Sequence, residues 1–148
     1  MFYSGTEYYE GTVDNLVYSS NYEKKQKLMD VFISDDSPVV RVRLANMIED
    51  IQGVNLIGEA NNVQESIEKI EELKPDAIIL DIRMPGGSGL DVLKSIKNNH
   101  ENHHPIIIVL TNYPYPQYRK KCIEAGADYF FDKSNEFHKV IEVFKQLV

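Results

Sequence analysis

Five side chains suited to binding a phosphate or a metal ion follow short apolar segments of this sequence. Asp35 and Asp36 come directly after the first such segment, and Asp81 ends the third. Thr111 ends the fourth segment, and Lys133 lies in the loop after the fifth. In an open parallel sheet, ligands bind beyond the carboxyl ends of the strands. If the segments are strands of such a sheet, these five side chains converge at one edge.

Three carboxylates at one edge of a sheet repel one another unless a cation or a proton lies between them. Two carboxylates about 4 Å apart repel by roughly 4 kcal/mol at an effective dielectric constant near 20. Clustered carboxylates with room for water and a phosphate oxygen suit Mg²⁺, which rarely takes a shell made of protein alone. An aspartate in such a cluster can also be a nucleophile that forms an aspartyl phosphate. The pattern therefore predicts a magnesium site and phosphoryl-transfer chemistry.

Alternating strands and helices are predicted from the order of short apolar runs and amphipathic segments after residue 26. The strand candidates are rich in β-branched and aromatic residues, which suits strands covered on both faces. Five strands are predicted, at residues 29–34, 54–60, 77–81, 106–111 and 128–131.

Capping signals predict five helices between and after these strands. Ser37 before Pro38 provides an N-cap and a first-turn proline. Asn62, with Glu65 three residues later, resembles a capping box, and Gly126 favours a left-handed helix end. The predicted helices span 38–50, 63–73, 89–97 and 116–125, and the last runs from residue 134 or 135 through 147.

Composition indicates a compact cytoplasmic protein. The 148 residues carry 16 Lys and Arg against 23 Asp and Glu, and this net charge of −7 argues against direct binding to nucleic acid or to an anionic membrane. The longest apolar runs are far shorter than the roughly 20 residues of a membrane span. The single cysteine, Cys122, cannot form an internal disulfide, and no N-terminal segment has the pattern of a signal peptide.

Residues 1–26 differ from the rest of the chain. They contain five tyrosines and little aliphatic periodicity, so they are predicted to be an extension that precedes a domain at residues 27–148. The sequence leaves open whether this extension is a flexible tail or an aromatic segment that docks on the domain or on a partner.

Four motifs make residues 27–148 similar to a known family. They are Asp35-Asp36 after the first strand, ILDIRMPGGSGLDVL at 79–93, the strand that ends in Thr111, and AGADYFFDK at 125–133. In order and spacing they resemble the receiver domain of two-component response regulators. The resemblance implies a three-layer, doubly wound (βα)5 flavodoxin-like α/β fold, whose parallel five-stranded sheet has the order 2-1-3-4-5.

The resemblance also implies roles for the polar side chains. Asp81 would be the phosphoacceptor, and Mg²⁺ would be held by Asp35, Asp36, Asp81 and the backbone carbonyl of Arg83. Lys133 would pair with the phosphoryl oxygens.

By the same resemblance, two residues would form a conformational switch. Thr111 would hydrogen-bond the phosphoryl group and move toward it, and Phe130 would fill the space that Thr111 leaves. Phe131 is the neighbouring candidate for that role. The surface of the fourth helix, the fifth strand and the fifth helix would then change shape.

Two large residues depart from the commonest family pattern and flank the expected phosphate. Arg83 lies two residues after Asp81, and Tyr113 lies two residues after Thr111. We predict that both tune the reaction rate, because they obstruct an in-line water and make the aspartyl phosphate long-lived.

These features predict a response regulator receiver that takes a phosphoryl group on Asp81 from a sensor histidine kinase or exchanges it with a histidine phosphotransfer protein. We expect it to catalyse only its own phosphorylation and dephosphorylation. The signal would leave through a downstream protein target, or through a homodimer formed by the face of the fourth helix, fifth strand and fifth helix.

Three other interpretations stay open. One is a Mg²⁺-dependent phosphatase with an aspartyl-phosphate intermediate, although Arg83 lies where a second, acid-donating Asp is needed. Another is the receiver part of a longer regulator that carries an output domain. The third is a receiver-like structural module that never takes phosphate.

Overall fold

A computed structural model describes residues 27–99 and 103–148 of the chain. The extension predicted at residues 1–26 lies outside the described residues, so the domain boundary at residue 27 stays a prediction. The main sheet has five strands, β1 Met29–Ser34, β2 Val54–Ala60, β3 Ala77–Leu80, β4 Ile106–Thr111 and β5 Tyr129–Asp132.

All neighbouring strands of this sheet are parallel, and their spatial order is β2-β1-β3-β4-β5. The predicted fold class and strand order are confirmed. Three of the five predicted strands have the observed bounds. Of the other two, β3 ends one residue earlier than predicted, at Leu80, and β5 is shifted by one residue. Asp81 therefore lies just beyond the edge of the sheet.

The helices are confirmed in number, and the two predicted N-caps are observed. The Ser37 side chain accepts a hydrogen bond from the Val40 N–H at 3.3 Å, and the Asn62 side chain accepts one from the Glu65 N–H at 2.8 Å. Within the described ranges the helices are α1 Pro38–Glu49, α2 Val63–Leu73, α3 Gly89–Asn99, α4 Pro116–Glu124 and α5 Phe137–Leu147.

The predicted start of the last helix at residue 134 or 135 is wrong, because α5 begins at Phe137. The carboxylate of Asp132 accounts for the difference. It accepts hydrogen bonds from the Ser134 N–H and from the Asn135 side-chain amide, both at 2.9 Å. Ser134 and Asn135 therefore complete a turn around Asp132 instead of capping the helix.

Apolar side chains pack on both faces of the sheet, which produces the three layers. Phe32 and Ile78 face a core shared with α2, α3 and α4. Val31 and Ile33 face a second core shared with α1 and α5. Because neighbouring residues of a strand enter opposite cores, the polar site has to lie at the strand ends. No helix in the described ranges is long and apolar enough to span a membrane.

A short antiparallel hairpin, which the sequence patterns did not indicate, follows β3. It pairs Arg83–Met84 with Gly87–Ser88. Gly86 and Gly87 at its turn have φ angles of 89° and 144°, which glycine adopts without steric cost. The strands are two residues long, too short for any periodic pattern to show.

Candidate functional site

Three carboxylates meet at the carboxyl edge of the main sheet. Asp35 and Asp36 follow β1, Asp81 follows β3, and these adjacent strands pair Ser34 with Leu80. The Asp81 N–H donates to the Ser34 carbonyl at 2.9 Å, which extends the pairing past the sheet. One oxygen from each carboxylate lies within 4.8 Å of the other two. This crowding is the geometry that the strand ends predicted.

The loop that carries Asp81 packs tightly against the start of α3. The Gly89 N–H donates to the Ile82 carbonyl at 2.7 Å. A Cβ at position 89 would collide with the carbonyl oxygen of Asp81. Only glycine permits this approach, so Gly89 is needed to hold the Asp81 backbone where it lies.

Burial makes the ionised form of the clustered carboxylates unfavourable. Asp35 and Asp81 are 2% and 5% exposed, whereas Asp36 faces solvent. Burial raises the pKa of Asp81 from its ordinary 3.8 to about 6. The positive charge of Lys133 opposes this rise, and the negative charge of Asp35 adds to it. Asp81 is therefore mostly ionised at neutral pH, at a cost in free energy.

Lys133 supplies the positive charge between the two buried acids. Its N–H donates to the Thr111 carbonyl at 2.7 Å, which fixes the loop after β5. Its Nζ lies 2.8 Å from Asp35 Oδ2 and 3.2 Å from Asp81 Oδ2. Burial by itself would lower the pKa of Lys133, but the two carboxylates raise it above its ordinary value overall. The ammonium group is thus held charged at the site.

The acidic cluster could bind a metal ion, and its donors are of the kind that hard divalent cations prefer. Asp35 Oδ1 accepts a hydrogen bond from the Ser37 N–H at 2.9 Å, which orients that carboxylate. Asp36 leaves the cluster open to water. Carboxylate oxygens with access to water suit Mg²⁺. Arg83, whose backbone carbonyl the sequence suggested as a further ligand, begins the hairpin two residues beyond Asp81.

The loops after β3 and β4 are joined by a cation–π contact beside Asp81. The Arg83 guanidinium lies 4.4 Å from the centre of the Tyr113 ring. Thr111 is buried at the end of β4, and its hydroxyl accepts a hydrogen bond from the Tyr113 N–H at 3.0 Å. The sequence singled out all three residues, but it did not predict that Arg83 and Tyr113 touch.

Phe130 and Phe131 face opposite sides of the sheet. Phe130 is 5% exposed and belongs to the core under α4, which includes Cys122. Phe131 packs with the core on the α5 side. Arg119 on α4 donates to the Phe130 carbonyl at 3.2 Å, and its guanidinium lies 5.8 Å from the Phe130 ring. Of the two aromatic side chains, Phe130 is therefore the one in contact with α4.

Arg41 is a residue of the site that sequence reasoning missed. Its Nη1 donates to the backbone carbonyl of Asp35 at 2.7 Å, and its Nε lies 3.1 Å from Glu59 Oε1. A cation in the first turns of a helix opposes the helix dipole. Arg41 lies near the start of α1, where a cation is unfavourable. This unfavourable position is the one sequence feature that indicates a specific partner for Arg41.

Comparison with known proteins assigns this chain to one family. A model of the response regulator receiver domain matches residues 31–145. The chain is 39% identical over 112 residues to the transcriptional regulatory protein YdfI of Bacillus subtilis, covering 73% of this chain and 51% of that protein. It is 28% identical over 116 residues to the response regulator GacA of Pseudomonas viridiflava, covering 78% and 53%. The chain spans about half the length of these curated relatives.

A solved structure shows the same fold. The response regulator domain of Thermotoga maritima CheB superposes with a TM-score of 0.72 at 26% identity, over 82% of this chain and 93% of that chain. The likeness covers most of both chains, so the two share the receiver fold.

Proposed function

Because the chain belongs to the response regulator receiver family, we propose that Asp81 is its phosphoacceptor and that phosphorylation requires Mg²⁺. Phosphorylation on aspartate is the general function of the family, and its members interact with histidine kinases and with output partners. One observation carries the assignment to Asp81. Of the three clustered carboxylates, Asp81 alone follows the central strand β3, between the acid pair of Asp35 and Asp36 and the hairpin.

The reaction we propose is transfer from a phosphohistidine. A carboxylate oxygen of Asp81 attacks the phosphorus, the P–N bond breaks, and its electron pair stays on the imidazole nitrogen. Lys133, already 3.2 Å from Asp81, remains to pair with a phosphoryl oxygen. Asp35, Asp36 and the Arg83 carbonyl would hold Mg²⁺ with Asp81, and the bound ion would supply positive charge to the carboxylates and to the phosphoryl oxygens.

The switch we propose runs from Thr111 through Phe130 to α4. The Thr111 hydroxyl, which accepts a hydrogen bond from the Tyr113 N–H, moves to donate its own O–H to a phosphoryl oxygen. Phe130, which is buried, fills the space that Thr111 leaves, and Arg119 links the Phe130 backbone to α4. The surface formed by α4, β5 and α5 then has two conformations, one without and one with the phosphoryl group, and phosphorylation favours the second.

We propose that Arg83 and Tyr113 slow hydrolysis of the aspartyl phosphate. Their contact at 4.4 Å makes a bridge of two large side chains next to Asp81. A water that attacks in line with the scissile bond has to pass this bridge or displace it. This arrangement supports a long-lived phosphorylated state.

Two surfaces suit protein partners. Val39 and Val42 on α1 are 76% and 60% exposed beside the acidic cluster, and we propose that a histidine kinase or histidine phosphotransfer protein docks there. Tyr115, directly before α4, and Ile123 on α4 are 52% and 41% exposed. They support the α4, β5 and α5 face as the surface for a downstream target or a homodimer.

Other sequence-based predictions remain as proposals. Cytoplasmic location and the absence of activity on other substrates stay predictions. For the phosphatase alternative, Arg83 still lies where the general acid is needed, with its guanidinium stacked on Tyr113. That the chain is the receiver part of a longer regulator with an output domain stays an alternative, which mass analysis of the native gene product tests.

Incubation with acetyl phosphate and Mg²⁺ tests the proposed function. We expect the wild-type protein to gain the mass of one phosphoryl group, and Asp81→Asn to gain none. Asp50→Asn, which removes an exposed carboxylate at the end of α1, is the matched control and should label like wild type. Equal labelling of Asp81→Asn would refute the assignment, and continuous turnover of a phosphoester would favour the phosphatase.

A further inference from the structure

We propose that Arg41 is a positioning residue that sets the Asp35-Asp36 peptide for metal binding. The inference rests on the proposed magnesium site, and it concerns the backbone behind that site. Arg41 is not a candidate ligand, because a guanidinium cation repels a metal ion. Its role would be to act through the carbonyl of Asp35.

The contacts of Arg41 connect α1 with β2 and with the loop after β1. From α1, its Nη1 donates to the Asp35 carbonyl at 2.7 Å, and its Nε lies 3.1 Å from Glu59 Oε1 on β2. The Arg41 side chain is only 18% exposed. Glu59 is held in turn, because Lys69 on α2 donates to its backbone carbonyl at 3.0 Å. The guanidinium is therefore fixed on two sides by groups that are themselves held.

The carbonyl that Arg41 binds belongs to the peptide between Asp35 and Asp36, so it sets the plane of that peptide. The Asp35 N–H donates to the Ala60 carbonyl at 3.1 Å, and the Asp35 carboxylate is held by Ser37 and Lys133. In the described part of the chain, no hydrogen bond or ion pair holds the Asp36 carboxylate. The backbone that Arg41 fixes therefore sets the point from which the Asp36 side chain extends toward the cluster.

Positioning and simple electrostatics predict opposite effects when Arg41 is removed. Loss of a positive charge near three carboxylates should tighten binding of a divalent cation. Loss of a group that orients a ligand should weaken it, typically by 10-fold or more. The sign of the change in affinity therefore separates the two roles.

Metal affinity of the full chain, without any phosphodonor, is the measurement. Electron paramagnetic resonance of free Mn²⁺ gives the Mn²⁺ affinity, and competition gives the Mg²⁺ affinity. We expect Arg41→Ala to weaken both about 10-fold. Arg41→Lys should recover part of this loss, since an ammonium can reach one acceptor but lacks the planar fork that serves Asp35 and Glu59 together. Glu59→Gln, which removes the ion pair, should show a smaller loss.

Arg43→Ala is the matched control, because Arg43 lies on the same helix but stacks on Phe137 at 3.9 Å. It removes the same charge without touching the Asp35 carbonyl, so its affinity should stay equal or tighten. Thermal unfolding in EDTA checks that each variant is folded. If Arg41→Ala does not fold, the weakened affinity of Arg41→Lys carries the test, because this variant keeps the positive charge and loses only the planar fork.

Equal or tighter metal binding by the Arg41 variants would overturn the positioning role while leaving phosphorylation of Asp81 intact. If wild type itself binds neither cation, and Asp81 takes no phosphoryl group, the proposed function fails together with this inference.

Discussion

Aspartates lie at both edges of the main sheet, but their partners differ. At the amino edge, Asp76 accepts a hydrogen bond from the Asp30 N–H at 2.8 Å, and Asp128 accepts one from the Ile107 N–H at 2.8 Å. The Lys27 side chain, whose Nζ lies 3.6 Å from Asp76 Oδ1, is 80% exposed. These acids are spaced along the edge, and backbone donors satisfy them.

At the carboxyl edge the acids are crowded instead of spaced. Asp35, Asp36 and Asp81 each place an oxygen within 4.8 Å of the others, and Lys133 is shared by the two buried ones. One ammonium against three carboxylates leaves a formal charge of −2 when all are ionised. A divalent cation offsets that charge, and nothing comparable is needed at the amino edge.

The comparison teaches that an aspartate at a strand end is not by itself a sign of function. Dispersed acids with backbone donors stabilise strand starts, whereas crowded acids that share too little positive charge store unfavourable free energy. The raised pKa of Asp81 is the measure of that cost. Each edge therefore predicts a different response to removing a charge.

The largest difference is expected on removing the cation from each edge. Lys133→Met leaves two buried carboxylates without their partner, so it should lower the free energy of unfolding by about 3 kcal/mol in EDTA at pH 7.5. Lys27→Met removes a solvent-exposed partner of Asp76 and should change stability by less than about 0.5 kcal/mol. Urea unfolding measures both. Equal losses of stability in Lys133→Met and Lys27→Met would contradict the distinction between the two edges.

Mg²⁺ should raise the free energy of unfolding through the aspartates of the carboxyl edge and not through those of the amino edge. At a concentration 100 times its dissociation constant, Mg²⁺ should raise the free energy of unfolding of wild type by about 2.7 kcal/mol. Asp76→Asn should keep that gain, and Asp81→Asn should lose most of it. Unfolding with MgCl2, compared with NaCl at equal ionic strength, measures the difference. A gain retained by Asp81→Asn would place the metal elsewhere.

Replacing one aspartate at each edge should change stability in opposite directions. The folded state raises the pKa of Asp81 from 3.8 to about 6, so wild-type stability falls as pH rises through that range. In EDTA at pH 8, Asp81→Asn should therefore be more stable than wild type by about 2 kcal/mol, and the gain should vanish near pH 4. Asp76→Asn should instead destabilise by about 1 kcal/mol, since it weakens a bond to the Asp30 N–H. A destabilised Asp81→Asn at pH 8 would contradict this account.

Strand order and the convergence of the acids could be predicted because they depend on patterns along the chain. The apolar run Ile106–Thr111 leaves little choice but a buried strand, and Ser37 and Asn62 mark helix starts by local hydrogen bonds alone. Once the strands are placed, the rule for strand ends brings Asp35 and Asp81 together without any knowledge of side-chain geometry.

The rest depends on side-chain contacts that the apolar and capping patterns do not report, whether the partner is near or far in the sequence. Ser134 could cap a helix as well as join a turn, and only the carboxylate of Asp132 decides between them. The contact of Arg41 with the Asp35 carbonyl and the stacking of Arg83 on Tyr113 depend on how helices and loops pack. Contacts of that kind surround the cluster, which is where the rates would be set.

The smallest effect is expected where the carboxyl edge is covered by side chains. The double variant Arg83→Ala/Tyr113→Ala removes the bridge beside Asp81, so phosphoryl loss should become several-fold faster, in keeping with the roughly 1 kcal/mol of an exposed cation–π contact. Phosphate release from the isolated phosphorylated protein in Mg²⁺ measures it. Arg43→Ala, which removes a cation–π contact with Phe137, is the control and should hydrolyse at the wild-type rate. If the double variant is no faster, the bridge does not restrict water, and the lifetime is set by the charges of the cluster alone.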